Sequence, residues 1–465
     1  MRPRGFRKSS YGTLPHRRSC TVRSDSPPPR RAAAPLVEQL TAVRLPVPGD
    51  FHLTYCTNIH PADGWDAVFA NLRRYAPALK ERLSPESPFG LGLRLSARDA
   101  AELLAGGRLA EFRAFLLDEG LYVAIINGFP YGPFHGTPVK ASVYAPDWRD
   151  DARVQYTLDL ITILHELLPE GIDGGVSTAP ISYKPWMGGA GPEDWRTIVR
   201  HLARVTETLV RLRERDGTCI HLDIEPEPDC TIENTAETLD FFERHLLPEG
   251  ARPLAEALGS SDEAARQHLL EHVRLCFDCC HFAVAFEEAA AALDRIRAAG
   301  IRIGRVQLSS ALHVPAPATP AEGERMLERL RGFADATYLH QVVERRATGL
   351  RHYLDLPEAL DRGGGRREGD WRIHFHVPLF TAQYDVLGST QQYVAEVLRH
   401  VLRTAATRHL EIETYTWDVL PAALKEDLLE SIAREYEWVL STVSSFPVPA
   451  SAALQPRGPG GAPPE

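Results

Sequence analysis

Along the chain, short apolar runs alternate with longer stretches in which apolar residues recur every three or four positions. The short runs predict eight strands: Phe51–Asn58, Gly90–Leu95, Leu121–Asn127, Gly174–Ala179, Cys219–Glu225, Val273–Asp278, Ile303–Ser309 and His409–Tyr415. Helices are predicted between them. Val68, Leu72, Tyr75 and Leu79 follow Asp63 at helical spacing, Val154, Leu158, Ile161 and Leu168 precede the fourth strand, and Ser96 with Asp99 reads as an N-cap pair. This alternation is the pattern of βα units around a parallel sheet. One segment interrupts it. From about residue 315 to 370 runs a helical insertion containing GGGRREGD, followed by WRIHFHVPLF. It is too long for an ordinary connection, and after the seventh strand of a barrel it would lie over the C-terminal face.

Four of the strands carry a second message. Ile220, Leu222 and Ile224 share one face while His221, Asp223 and Glu225 share the other; Val273, Leu275 and Phe277 stand against Arg274, Cys276 and Asp278. Val306 and Leu308 oppose Arg305 and Gln307, and Leu410 and Ile412 oppose His409, Glu411 and Glu413. A parallel strand buried on both faces should be nearly all apolar, so a polar face repeated four times needs a shared polar interior. A barrel lumen supplies one. The predicted fold is therefore α/β, a single (β/α)8 barrel over residues 46–446 with a helical insertion after strand seven. Inside it, Asp223 and Glu411 need the positive charges of Arg274 and Arg305, because unpaired buried charges are costly.

At the C-terminal mouth of these strands the spacing places Glu225, Asp278, Gln307 and Glu413. Converging carboxylates raise one another's pKa unless a cation is bound. An oxygen-rich set completed by an amide or an imidazole suits Mn, Mg, Co or Zn.

Composition narrows the partners. Of 465 residues, 44% are hydrophobic and 25% charged, enough for a folded core. The net charge of -10 hides an asymmetry: residues 1–35 hold nine Lys or Arg and one acid, and the remaining 43 basic and 61 acidic side chains leave the rest at -18. Nucleic acid is a poor partner for so acidic a body. Residues 1–45 and 447–465 read as disordered termini, a basic extension and a Pro/Gly/Ala-rich tail. Seven cysteines without framework spacing, no signal segment and no apolar run near 18 residues point to a reduced cytoplasm. Cys276, Cys279 and Cys280 beside His281 read as buried thiols rather than a zinc site, for want of a second ligand pair.

The set of Glu225 ending the fifth strand, Asp278-x-x-His281 ending the sixth, Gln307 on the seventh and Glu413 on the eighth resembles the xylose isomerase-like TIM barrels. These include sugar epimerases, inosose-processing enzymes and endonuclease IV. Over about residues 48–446 the strings HLTYCTNIHPADGW, NGFPYGPFHG, STAPISYKPW, LDIEPEPDC, DCCHFAVAFE and IETYTWDVLP resemble the EboE-type metabolite traffic proteins of that superfamily. The resemblance implies a divalent metal on Glu225, Asp278 and Glu413. The seventh-strand ligand, commonly His in the superfamily, is here either Gln307 or replaced by His374 and His376. His281, Asn58, His60, Asn127, His135, Tyr183, Lys184 and Trp417 are candidates for substrate hydroxyls and walls, with Phe129 a further wall.

Three functions remain open at this level. The first is a metal-dependent isomerase or epimerase acting on a sugar, polyol or secondary-metabolite precursor, with Glu225 and Glu413 as acid and base by resemblance. The second is a phosphoesterase of the endonuclease IV kind, which would want several zinc ions and more histidines. The third is a non-catalytic metabolite carrier delivering to a membrane-bound pathway partner.

Overall fold

A computed structural model describes residues 50–133, 139–334, 337–363, 368–418, 420, 425 and 427–446. The expected basic extension and C-terminal tail lie outside these residues. Eight parallel strands form one sheet: β1 (His52–Tyr55), β2 (Phe89–Arg94), β3 (Leu121–Asn127), β4 (Gly174–Thr178), β5 (Ile220–Ile224), β6 (Val273–Asp278), β7 (Ile303–Leu308) and, last in the chain, β14 (His409–Ile412). Their spatial order is β1-β14-β7-β6-β5-β4-β3-β2, and a bridge between Cys56 and Gly92 joins the two ends. This is a (β/α)8 TIM barrel.

Helices follow each strand and close the outer layer. Trp65–Leu83 buries Val68, Leu72, Ala76 and Leu79; Asp151–Leu167 buries Val154, Leu160, Ile161 and Leu164. Ser96 and Asp99 exchange hydrogen bonds as a capping box at the head of Ala97–Leu104. Among the described residues no helix is long and apolar enough to cross a membrane.

The insertion after β7 contains the helices Pro320–Leu330 and Leu356–Gly363, and with them a sheet that hydrophobic periodicity did not predict. Its strands are β8 (Ser310–Val314), β9 (Val342–Arg346), β10 (Gly349–Tyr353), β11 (Asp370–Val377), β12 (Gln383–Tyr384) and β13 (Leu387–Ser389), antiparallel in the order β10-β9-β11-β8-β13-β12. Only Ser309 separates β7 from β8, so one extended stretch of chain belongs to both sheets.

The alternation on the barrel strands has the expected sense. The apolar set Ile220, Leu222, Ile224, Val273, Leu275, Phe277, Val306, Leu308, Leu410 and Ile412 is at most 2% exposed. In the lumen the fully buried Arg305 places Nε 3.1 Å from Asp223 Oδ2 and one terminal nitrogen 3.3 Å from Glu411 Oε2. Its other terminal nitrogen donates to the carbonyls of Ile126 and Gly175 at 3.1 and 2.7 Å. Space for this layer comes from glycine: a Cβ on Gly304 would meet Asp223 at 1.8 Å, and one on Gly92 would meet Glu411 at 1.9 Å.

Arg274 is not an ion-pair partner in this layer and only adds attraction from a distance to Asp223. Standing second in β6, it is low enough to reach past the strand's N-terminal end, where it pairs with Asp173 at 3.0 Å and donates to the carbonyl of Glu271. Asp223 instead accepts from His221 at 2.5 Å. Arg305 is thus the one cation shared by Asp223 and Glu411 among the described residues, and losing it leaves two buried carboxylates uncompensated. Arg305→Met is expected to cost about 3–5 kcal/mol in urea unfolding, whereas Arg302→Met, an exposed pair with Glu271, should cost under about 1 kcal/mol.

Candidate metal centre

Three carboxylates stand where strands end. Glu225 follows β5, its amide held by the Thr178 carbonyl; Glu413 lies just past β14, its amide held by Leu308. Asp278 closes β6 and caps the helix Cys279–Val284, accepting from the His281 amide at 3.0 Å and the Ser309 hydroxyl at 2.7 Å. One oxygen from each lies within 4.8 Å of the others, and all three residues are buried. Burial pushes Glu225 and Glu413 well above the usual carboxylate range, reinforced by Asp278 and Glu227 for the first and by Glu225 and Asp278 for the second. Burial acts on Asp278 too, but His281, His376 and its two hydrogen-bond donors outweigh it and hold it low.

A histidine shell adjoins this trio. β11 carries His374 and His376 on one face, and His281 comes from the helix after β6. Each ring has its tautomer set by an acceptor on Nδ1: the Pro226 carbonyl for His281 at 2.8 Å, the Glu413 carbonyl for His376 at 2.9 Å, and the Gln341 amide oxygen for His374 at 2.8 Å. That amide is oriented because Gln341 Nε2 donates to the Pro228 carbonyl at 3.1 Å. All three Nδ1 atoms therefore carry hydrogen, and all three Nε2 atoms present lone pairs. His281 and His374 point these lone pairs at each other across 3.1 Å, an arrangement that calls for a proton or a cation between them. His376 Nε2 and Glu225 Oε2 find no hydrogen-bond partner among the described residues. Burial and His281 depress His374 well below its ordinary value; burial takes His376 down to about 4 against the pull of Asp278. Imidazole nitrogens beside clustered carboxylates are the donor set a divalent cation takes, so the residues present fit the metal that the motifs imply.

The centre forms the floor of a cleft of about 530 Å³ open to solvent. Phe129, Tyr144, Tyr338 and Tyr415 wall it, and Lys140 on its rim is already paired with Asp355 at 2.7 Å.

The remaining candidates divide. Asn58 and Asn127 donate to Glu413 Oε1 at 2.7 and 3.2 Å, orienting that carboxylate. Gln307 is level with Asp278 on one side and with Glu411 on the other, and its amide oxygen is engaged, accepting from the Cys276 thiol at 3.0 Å. The strand's upward face continues two residues further, to Ser309. His60 leaves the centre, bonding Tyr55 at 3.1 Å and stacking on Tyr75 beside a separate small cavity with Arg94. Tyr183 stacks behind Tyr144 rather than lining the cleft, Lys184 is held by Glu233 and Glu237, and Trp417 packs against Phe380 in the core. The cause is common to all four: residues past a strand end follow loop geometry, which strand alternation does not determine. His135 lies outside the described residues. The thiols of Cys276, Cys279 and Cys280 are buried and free.

One acid escaped the sequence reading. Glu227 lines the cleft, two residues beyond Glu225, and the repeated Glu-Pro of IEPEP was its signal. Burial raises its carboxyl to about 7 against the opposing pull of His281 and Tyr144. Tyr144 donates to it at 2.9 Å and receives from Gln341 at 3.0 Å, which links Glu227 to His374 through two side chains.

No protein-family model matches the chain, and no protein of curated function matches its sequence. Among solved structures it is similar to the probable 3-DHS dehydratase AsbF of Bacillus anthracis, involved in petrobactin synthesis, at 12% identity over 83% of this chain and 97% of that one, with a TM-score of 0.41. The IolI protein with a bound zinc atom gives 10% identity, 84% and 98% coverage and a TM-score of 0.40. D-psicose 3-epimerase gives 15%, 60% and 80%, and 0.33.

A carboxyl raised from 4.5 to about 7 stabilises the fold fully below about pH 4.5 and loses that contribution as pH rises through 7. In metal-free protein, Glu227→Gln should therefore gain stability relative to wild type between pH 5 and 8, by up to about 3 kcal/mol. Paired urea titrations at the two pH values measure it, and a pH-independent difference would refute the assignment.

Proposed function

We propose that the chain is a divalent-metal-dependent enzyme acting on a sugar or polyol-like metabolite, in the manner of an isomerase or epimerase. The observation that carries this reading is the convergence of Glu225, Asp278 and Glu413 with the unpartnered Nε2 of His376 at the floor of an aromatic cleft. A bound cation supplies affinity for adjacent carbonyl and hydroxyl oxygens and acidifies the C–H between them. The chain's residues supply the rest. Asn58 and Asn127 fix the Glu413 carboxylate through one of its oxygens. Glu225 and Glu413 stand on different strands, so a proton removed by one and returned by the other would invert or relocate a stereocentre. Glu227, near neutrality and joined to Tyr144, is a third group able to give and take a proton at the cleft wall. Tyr144, Tyr338 and Tyr415 present faces and hydroxyl edges suited to a ring carrying hydroxyl groups.

A second reading is favoured by one feature. Three imidazole lone pairs beside three carboxylates offer more donors than one ion uses, and a multinuclear zinc site would suit phosphoester hydrolysis. Metal content distinguishes the two. Wild type should hold about one divalent ion at the mouth, measured as the loss of about one equivalent in Glu225→Gln and in Asp278→Asn. Incubation with keto sugars and inososes in D2O should then place deuterium on the carbon beside the carbonyl, and Glu413→Gln should slow exchange about 10²–10⁴-fold. No exchange with any such compound, together with two or more zinc ions at the mouth and hydrolysis of a phosphodiester, would replace the first reading by the second.

A further inference from the structure

The opposite end of the barrel holds a second group of metal-ligating side chains that the proposed reaction does not use. Asp173 immediately precedes β4, His221 is second in β5 and His409 opens β14, so all three stand at N-terminal strand ends, away from the mouth. One ligand atom from each lies within 4.8 Å of the other two. His409 Nε2 is 3.2 Å from Asp173 Oδ1, and His221 Nε2 is 3.8 Å from Asp173 Oδ2. Donors about 2.0–2.1 Å from a tetrahedral zinc lie about 3.3 Å apart, so the side chains are already near coordination spacing.

His221 provides the independent observation. Its Nδ1 bonds to Asp223 at 2.5 Å, and since that carboxylate is held ionised by His221 and Arg305 despite its burial, the ring hydrogen sits on Nδ1. Nε2 then presents a lone pair toward the Asp173 carboxylate. It has no hydrogen-bond partner among the described residues, and its side chain is 0% exposed. A lone pair facing an anion in a buried site is unfavourable, and a cation between them reverses the sign of the interaction. The carboxylate–histidine–metal arrangement, with a carboxylate behind the ring fixing its tautomer, has the same form.

The surroundings agree. Burial lowers His221 to about 4, so the imidazole is neutral at physiological pH; Asp173 is held ionised by His409, His221 and Arg274, which outweigh its burial. Arg274 grips Asp173 Oδ2 at 3.0 Å and leaves Oδ1 toward His409. His52 stacks on His409 at 5.3 Å between ring centroids and is itself held by the Tyr122 hydroxyl at 2.9 Å. The Asp173 side chain, 32% exposed, opens the group to solvent.

We propose that Asp173, His221 and His409 form a zinc-type site at the base of the barrel, clamping the starts of β4, β5 and β14, with water as the fourth ligand. The test uses the full chain carrying Glu225→Gln and Asp278→Asn, which disable the mouth. Loaded with Zn2+ or Co2+ and desalted, it should keep about one ion per chain, show the visible absorption of tetrahedral Co2+, and melt at a higher temperature with zinc than with chelator. Adding His221→Gln or His409→Gln should remove the ion, with folding checked by circular dichroism. Should those variants not fold, Asp173→Asn at the partly exposed rim, made in the otherwise unaltered chain, should lower total zinc by one equivalent. A folded mouth variant that retains no ion, or zinc content in the unaltered chain indifferent to Asp173→Asn, overturns the proposal. Because ions at the mouth are counted with separate substitutions, failure at either end leaves the other assignment intact.

Discussion

The guanidinium of Arg305, closed inside the barrel between Asp223 and Glu411, is the contact on which the rest of the molecule depends. Two carboxylates in a dry lumen would each cost several kcal/mol to bury. One planar cation answers both and satisfies two backbone carbonyls as well. With this layer balanced, the strands can keep polar residues on their inner face and still fold. The glycines at positions 92 and 304 show that backbone space, too, is given up to accommodate it.

The lumen then reads as a vertical series of charge balances. At mid-height, Asp223 and Glu411 share one guanidinium, which helps hold Asp223 low while burial still raises Glu411, and the layer is structural. At the mouth, Glu225, Asp278 and Glu413 meet imidazoles and amides, and Lys140 among the described cleft residues is already paired with Asp355. Scaffold and site therefore use the same residue types on the same strand faces. What separates them is the presence or absence of a counter-charge, and that difference is what leaves the upper layer able to take a cation and move protons.

How much of this could be read in the sequence follows from which features are periodic. β3 and β6 begin and end where the pattern places them, and the other barrel strands differ by a few residues at their ends, because alternation is a property of the extended backbone itself. Glu225, Asp278 and Glu413 were legible for the same reason. Gln307 stands level with Asp278, but its amide oxygen is taken by the Cys276 thiol, a tertiary contact that alternation does not show. The strands of that second sheet, several of only two to five residues and paired antiparallel across long separations, leave too few positions for a period to show. His60, Lys184 and Trp417 sit in connections whose direction depends on tertiary contacts. Glu227 was within reach, two residues after a recognised ligand.

The joint at Ser309 has a mechanical consequence. Its hydroxyl donates to Asp278 and accepts from the Cys280 amide, while its backbone is the single link between β7 and β8. The sheet bearing His374 and His376 is thus braced to the carboxylate floor like a cantilever and cannot swing as a hinged cover without dragging Asp278 along. The exposed two-residue turn Ala347–Thr348 between β9 and β10, at the far edge of the inserted sheet, is where added chain would leave the bracing undisturbed.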